Sequence, residues 1–161
     1  MALSLQSASL VRQKVYNALG GTNNPSTRQR LWWTTAREFF TQHVNAGNAD
    51  LQFIPFAEAD ADAAGGTMLA DAACQVYLFY VKKLASATEN TAKLFDDATD
   101  DTAAGDQTLS IILGATGQES MQVYPTGFDM AAGVVVTQHT TPEGTTDGSD
   151  GGDGFVVIGA A

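Results

Sequence analysis

The stretch from residue 92 to 140, AKLFDDATDDTAAGDQTLSIILGATGQESMQVYPTGFDMAAGVVVTQHT, leaves this chain few folds to choose from. Four short apolar segments, at 92–95, 109–113, 121–124 and 134–137, are separated by clusters of Asp, Thr, Gly and Pro. That is the punctuation of an antiparallel sheet with surface turns. None of the four is long enough for a helix. Leu109, Ile111 and Leu113 alternate with Ser110 and Ile112, so one face of that strand must be covered, whereas Val134, Val135 and Val136 in a row suit a strand covered on both faces. One sheet alone cannot satisfy both patterns. Two sheets packed face to face, or a closed barrel, bury both sets.

The flanking segments extend this reading. Residues 75–83 are apolar on both faces, Val76, Leu78 and Tyr80 on one and Tyr77, Phe79 and Val81 on the other, which predicts a central strand. Residues 51–56 read as an edge strand because Pro55 cannot donate to a ladder. Residues 155–158 supply a closing strand, and 57–73 read mostly as loop. Ahead of them, 7–19 predicts a helix capped by Ser7 or Ser9, with Val11 and Val15 at i and i+4 and Gly20-Gly21 as its stop. Asn24 and Pro25 open a second helix running to about Val44. On it Trp32, Ala36, Phe39, Phe40 and His43 share one side, with Trp33 and Arg37 off the stripe. The expected fold is mainly β: an antiparallel β-sandwich of jelly-roll type over 48–161, carrying an N-terminal docking segment of two α-helices over 1–47.

A chain of 161 residues, 44% of them hydrophobic, fits one globular domain. A single Cys74 rules out an intramolecular disulfide, and its apolar neighbours predict a small buried thiol. The N-terminus lacks a basic region followed by an apolar core, and no stretch approaches the ~20 apolar residues that cross a bilayer. The expectation is a protein made in the cytoplasm without membrane contact. The net charge of −10 is unevenly spread: Arg12, Lys14, Arg28, Arg30 and Arg37 against Glu38 give +4 over 1–40, which leaves −14 for the rest. From Leu94 to the end there is no Lys or Arg. Either the N-terminal part docks on an acidic partner or these are ordinary solvated helix positions. Five cations are too few for a nucleic-acid footprint. Trp33 with Arg30 or Arg37 suits a contact with a neighbouring subunit, because Trp and Arg are enriched in interface hot spots, although a helix simply packed on the sandwich also accounts for the aromatics. The partner-binding residues expected are thus Arg12, Lys14, Arg28, Arg30, Trp33 and Arg37.

Chemistry finds little footing. Residues 147–154 have the composition of a calcium loop, but counted from Asp147 the fifth position is Gly151 and the twelfth is Ile158, so two ligands are missing and a solvated hairpin is the simpler reading. Asp96, Asp97, Asp100 and Asp101 read likewise as a solvated turn. No metal and no cofactor are expected. A nucleophilic pair of Cys74 with His43 or His139 lacks an orienting carboxylate at motif spacing, and Gly20-Gly21-Thr22 lacks the Gly-Lys-Ser/Thr of a phosphate cradle. His43 reads as a satisfied helix-end histidine. The chain is expected not to be an enzyme.

The order of Lys93–Asp96, Gly105-Asp106, the 109–113 strand, Gly127-Phe128, the 133–137 strand and the final 155–159 strand resembles a β-sandwich domain of tailed-bacteriophage virion proteins, notably head-decoration and neck or tail accessory proteins. The resemblance covers roughly residues 77–161 and rests on strand and turn order. Relatives often carry a Pro just before the 109–113 strand, where this chain has Gln107 and Thr108. It implies a structural virion protein located in the particle, of which a decoration or cement protein on the major capsid protein fits one small domain without fibre segments. It also implies a homo-oligomer, a trimer among the choices. The alternatives are a neck, tail or fibre-base accessory protein and, in another class, a carbohydrate-binding module presenting Tyr77, Tyr80 or Tyr124.

Overall fold

The computed structural model describes residues 3–46, 50–57, 66–83, 90–98, 107–113, 118–139 and 152–161, with side chains left aside at 43–46, 83, 90, 107 and 108. Two helices come first. In α1 (Ala8–Ala18) the Ser7 hydroxyl accepts from the Leu10 N–H at 3.4 Å, and Val11, Val15 and Leu19 form one buried stripe. The chain then turns through Gly20 and Gly21, both at positive φ. In α2 (Thr27–Ala46) the cap is Ser26 and not Asn24. The Ser26 N–H donates to Gln29 Oε1 at 2.8 Å and Ser26 Oγ accepts from the Gln29 N–H at 3.1 Å, a reciprocal capping box. Asn24 lies outside the helix at φ 53, in the left-handed region.

Eight strands follow: β1 (Leu51–Phe56), β2 (Thr67–Ala70), β3 (Cys74–Lys83), β4 (Asn90–Phe95), β5 (Gln107–Leu113), β6 (Glu119–Met130), β7 (Val134–His139) and β8 (Gly152–Ala160). They form two four-stranded sheets, ordered β1-β8-β3-β6 and β2-β7-β4-β5, with every pair antiparallel. As the residue pattern predicts, β1 with Pro55 is an edge, β3 is central, and β7 is central and buried along its length. Three strand assignments need correction. Thr67–Ala70 is a strand within the stretch read as loop; at four residues it is too short for a period to register. Gly152, Asp153 and Gly154 belong to β8, not to a hairpin loop, and 147–151 lie outside the described residues. β6 runs through Pro125 and Gly127 to Met130, where turn residues predicted a break.

The last point has a physical reason. Between Val76 and Leu78 the register of β3 shifts against both neighbours, so that Val76 pairs with Phe128 and Ile158 while Leu78 pairs with Val123 and Val157. Residues 124–127 form the wide bulge on β6, and Pro125 is tolerated there because β6 is an edge. The bulge also turns the faces of β3 over. Val76, Phe79 and Val81 enter the core between the sheets, while Tyr77, Leu78 and Tyr80 face outward, which a strict period of two does not give.

Two apolar layers result. Between the sheets lie Ile54, Phe56, Phe79, Leu94, Ile111, Leu113, Val134, Val136, Val156 and Ile158, among others. Outside the first sheet, Leu51, Tyr77, Leu78, Tyr80, Phe155 and Val157 pack against Val11, Val15, Ala36, Phe39 and Phe40 of the helices. The helical segment and the sandwich thus share one of the two cores. Polar groups tie the sheets together. The Gln138 side chain, fully buried, donates to Gly152 O at 2.8 Å and accepts from Gly152 N–H at 2.7 Å, joining the end of β7 to the start of β8. Asp96 accepts from the backbone N–H groups of Ala131, Ala132 and Gly133 at 2.9, 2.7 and 3.3 Å, clamping the turn between β6 and β7. It is therefore built into the fold, where the sequence suggests only a solvated turn.

Two outcomes follow from this packing. A Cβ on Gly154 would lie 2.2 Å from Tyr80 O and 2.4 Å from Phe56 Cζ, so Gly154→Ala should lower unfolding stability by ~1–3 kcal/mol in a urea titration. Cys74 is fully buried; that burial first, and the Asp96 carboxylate second, push its thiol up to about 11. It should resist thiol labelling at pH 8 until the protein unfolds. Because the folded state holds this proton more tightly, stability should fall as pH rises from about 9 toward about 11, and Cys74→Ala should remove that part of the slope.

Candidate protein-binding cleft

Laying the apolar stripes of both helices on the sheet fixes what their flanks present. On α2, Arg30, Trp33 and Arg37 recur at i, i+3 and i+7 and turn toward α1; on α1, Ser9, Arg12, Gln13 and Tyr16 form the facing flank. Ser9, Arg12, Gln13, Tyr16, Trp33 and Arg37 line a cleft of ≈ 490 Å³. A second hollow of ≈ 260 Å³ shares Tyr16 and Trp33 and adds Gln29 and Arg30. Tyr16 and Trp33 are the walls common to both, with Trp33 the larger. Its ring meets Tyr16 edge-on at 4.9 Å between centroids, and the Arg12 guanidinium lies 5.7 Å from its centroid. Trp33 is half-buried, while Arg12, Arg30 and Arg37 are exposed. Arg30 Nε donates to Pro25 O at 3.1 Å, which anchors one arm of the guanidinium.

Of the six partner-binding residues expected, the structure brings together Arg12, Arg30, Trp33 and Arg37. Lys14 lies on the other flank of α1, where its Nζ donates to Gln6 Oε1 at 2.8 Å. Arg28 lines a separate hollow with Leu31, 64% exposed, beside Glu119. Tyr16, Ser9 and Gln13 complete the cleft without having stood out in the sequence; the available signal was Arg12 and Tyr16 at i and i+4. The adjacent tryptophans divide the work, since Trp32 packs edge-on against Tyr80 at 5.9 Å. The His43 side chain lies outside the described residues, as do Asp100 and Asp101.

The other candidate groups are placed elsewhere. Cys74 belongs to the core between the sheets, and His139 bonds Thr137 Oγ1 at 2.8 Å on the opposite face of the second sheet. Among the described residues no three His, Cys, Asp or Glu side chains converge as metal ligands would. Tyr77 and Tyr80 lie beneath the helices, against Phe39 and Phe155 at 5.1 and 5.0 Å, and Tyr124 is half-buried against Phe128. None of the three offers the open flat face that a sugar ring needs.

Glu119, at the start of β6, holds α2 in place. It accepts from the Tyr80 hydroxyl, from Gln29 Nε2 at 3.3 Å and from Ser26 Oγ at 3.4 Å. The Tyr80 phenol is pushed up from its ordinary value by burial first and by this bond to Glu119 second. The carboxylate thus connects the capping box of α2 to the middle of the first sheet.

Comparison of the sequence with protein-family models and with curated proteins finds no match. The cleft must be judged on its chemistry. It offers weakly hydrated cations, an indole face, the Tyr16 ring and the polar side chains of Ser9 and Gln13, which is the composition of a protein-recognition hot spot.

The Glu119 anchor predicts a measurable coupling. Glu119→Ala should cost ~1–3 kcal/mol by leaving the buried Tyr80 hydroxyl without its acceptor, and Tyr80→Phe on top of it should cost little more. Urea unfolding of the two single variants and the double should give an interaction energy of at least ~0.5 kcal/mol; additive losses would contradict the anchor.

Proposed function

We propose that this protein is a non-enzymatic structural component of a bacteriophage virion, a decoration or cement protein that binds the shell in many copies and stabilises it. The observation that carries this is the strand order. The eight antiparallel strands among the described residues split as 1-8-3-6 and 2-7-4-5, with the chain changing sheet at every step along the sequence except from β4 to β5. This supports a jelly roll, an architecture used by viral capsid and lectin domains. The order of strands and turns over residues 77–161, which resembles virion accessory proteins, points the same way. The edge strands β1, β2 and β5 are short and the long edge β6 is interrupted by its bulge, which suits a part repeated many times on a symmetric surface, where any sticky edge would be multiplied. Its mechanism is binding without bond-making: each joint buries apolar and Trp/Arg surface, and the sum over copies stabilises the lattice. The major capsid protein is the partner this reading implies, with a homo-oligomer as the binding unit.

The test is co-sedimentation of the purified protein with emptied shells of the particle that carries it, and heat release of shell contents with and without it. Saturable binding at a fixed ratio per shell subunit, with a higher disruption temperature for decorated shells, is the expected result. Binding to isolated necks or tails with none to shells would move the protein to the accessory position. Binding to neither would overturn the virion reading.

A further inference from the structure

We propose that the cleft between α1 and α2 is filled by the acidic body of a second copy of this chain, so that copies join head to tail. The chain carries both halves of such a contact in different parts of its sequence. Residues 1–40 have a net charge of +4, and three of their cations, Arg12, Arg30 and Arg37, surround Trp33. Residues 94–161 have eleven Asp and Glu and no Lys or Arg. Among the described residues, the Arg12 guanidinium meets the Trp33 ring instead of a carboxylate, which leaves its fork of donors open to one. Three guanidiniums are too few for the footprint of a phosphate polymer. They match a carboxylate-rich protein surface, and the indole beside them supplies the apolar anchor that charge alone lacks.

Because the cations lie within residues 1–40 and the acidic run within 94–161, the contact is heterologous. It closes into a ring if the rotation between copies allows and otherwise runs on as a chain. This goes beyond shell binding and does not depend on it.

Light scattering of the full chain at about 10 mM and about 1 M salt tests it, since the screening length falls from about 30 Å to about 3 Å between them. The mass should exceed the 16.9 kDa of one chain at low salt and fall toward it at high salt. Arg12→Glu with Arg37→Glu should weaken association ~10-fold or more with an unchanged circular dichroism spectrum. The same charge change off the cleft, Lys14→Glu with Arg28→Glu, should leave association in place. Should the reversed variant misfold, Arg12→Gln with Arg37→Gln must act in the same direction. A tagged Arg12→Glu/Arg37→Glu chain keeps its acidic body, so it should still be captured by the wild-type protein and end its chains. A wild-type chain of single mass at low salt, equal loss in the off-cleft variant, or a reversed variant that cannot join the wild type would each overturn the proposal. A wild-type protein that self-associates through the cleft yet ignores shells, necks and tails would defeat the virion reading alone.

Discussion

The first sheet is apolar on both faces, and much of this molecule follows from having to cover the second of them. β3 and β8 supply Val76, Phe79, Val81, Val156 and Ile158 to the space between the sheets and Tyr77, Leu78, Tyr80, Phe155 and Val157 to the other side. An aromatic ring left in water forgoes about 4–6 kcal/mol of gross stabilisation, so the outer face demands a third layer. The helical pair is that layer. Its stripe of Val11, Val15, Ala36, Phe39 and Phe40 meets the sheet, and the orientation of every other helical side chain is settled by that contact. The cleft between the helices is a consequence: once the stripes are down, Arg12 and Tyr16 must face Trp33 and Arg37.

Three polar side chains hold the layers together. Asp96 satisfies three backbone donors at the turn between β6 and β7, Glu119 ties the start of α2 to Tyr80, and Gln138 holds both backbone polar groups of Gly152. Each sits where a purely apolar contact would leave backbone or hydroxyl groups unpaired. The cations around Trp33 are the exception, since exposed guanidiniums beside a half-buried indole contribute little to stability and fit an interface better.

The fold class was legible because its strongest signals are local. Pro55 marks an edge, three consecutive valines mark a centre, and Val11 and Val15 mark a helix face. The inside and outside of β3 were not legible, because the bulge at Tyr77 is a response to neighbours β6 and β8 that no period along β3 encodes. β2 was lost for want of length, and the start of α2 was misplaced because Asn24-Pro25 outshone the reciprocal Ser26–Gln29 pair. Four of the six residues expected at the interface converge because they share helix flanks, whereas Lys14 and Arg28 carry the same charge on the wrong side. Tyr16 was invisible as a site residue until the second helix was laid beside the first.

Binding through the flank of the helical pair is the centre of the proposed function. Hydroxyl-radical footprinting of the assembled protein against the dispersed chain reads this directly, because Trp33 and Tyr16 are both reactive side chains in the cleft. Oxidation of both should slow on assembly while that of Leu31, 64% exposed on the off-cleft side of α2, stays unchanged. Unchanged oxidation of Trp33 and Tyr16, with protection centred on Leu31, would contradict it.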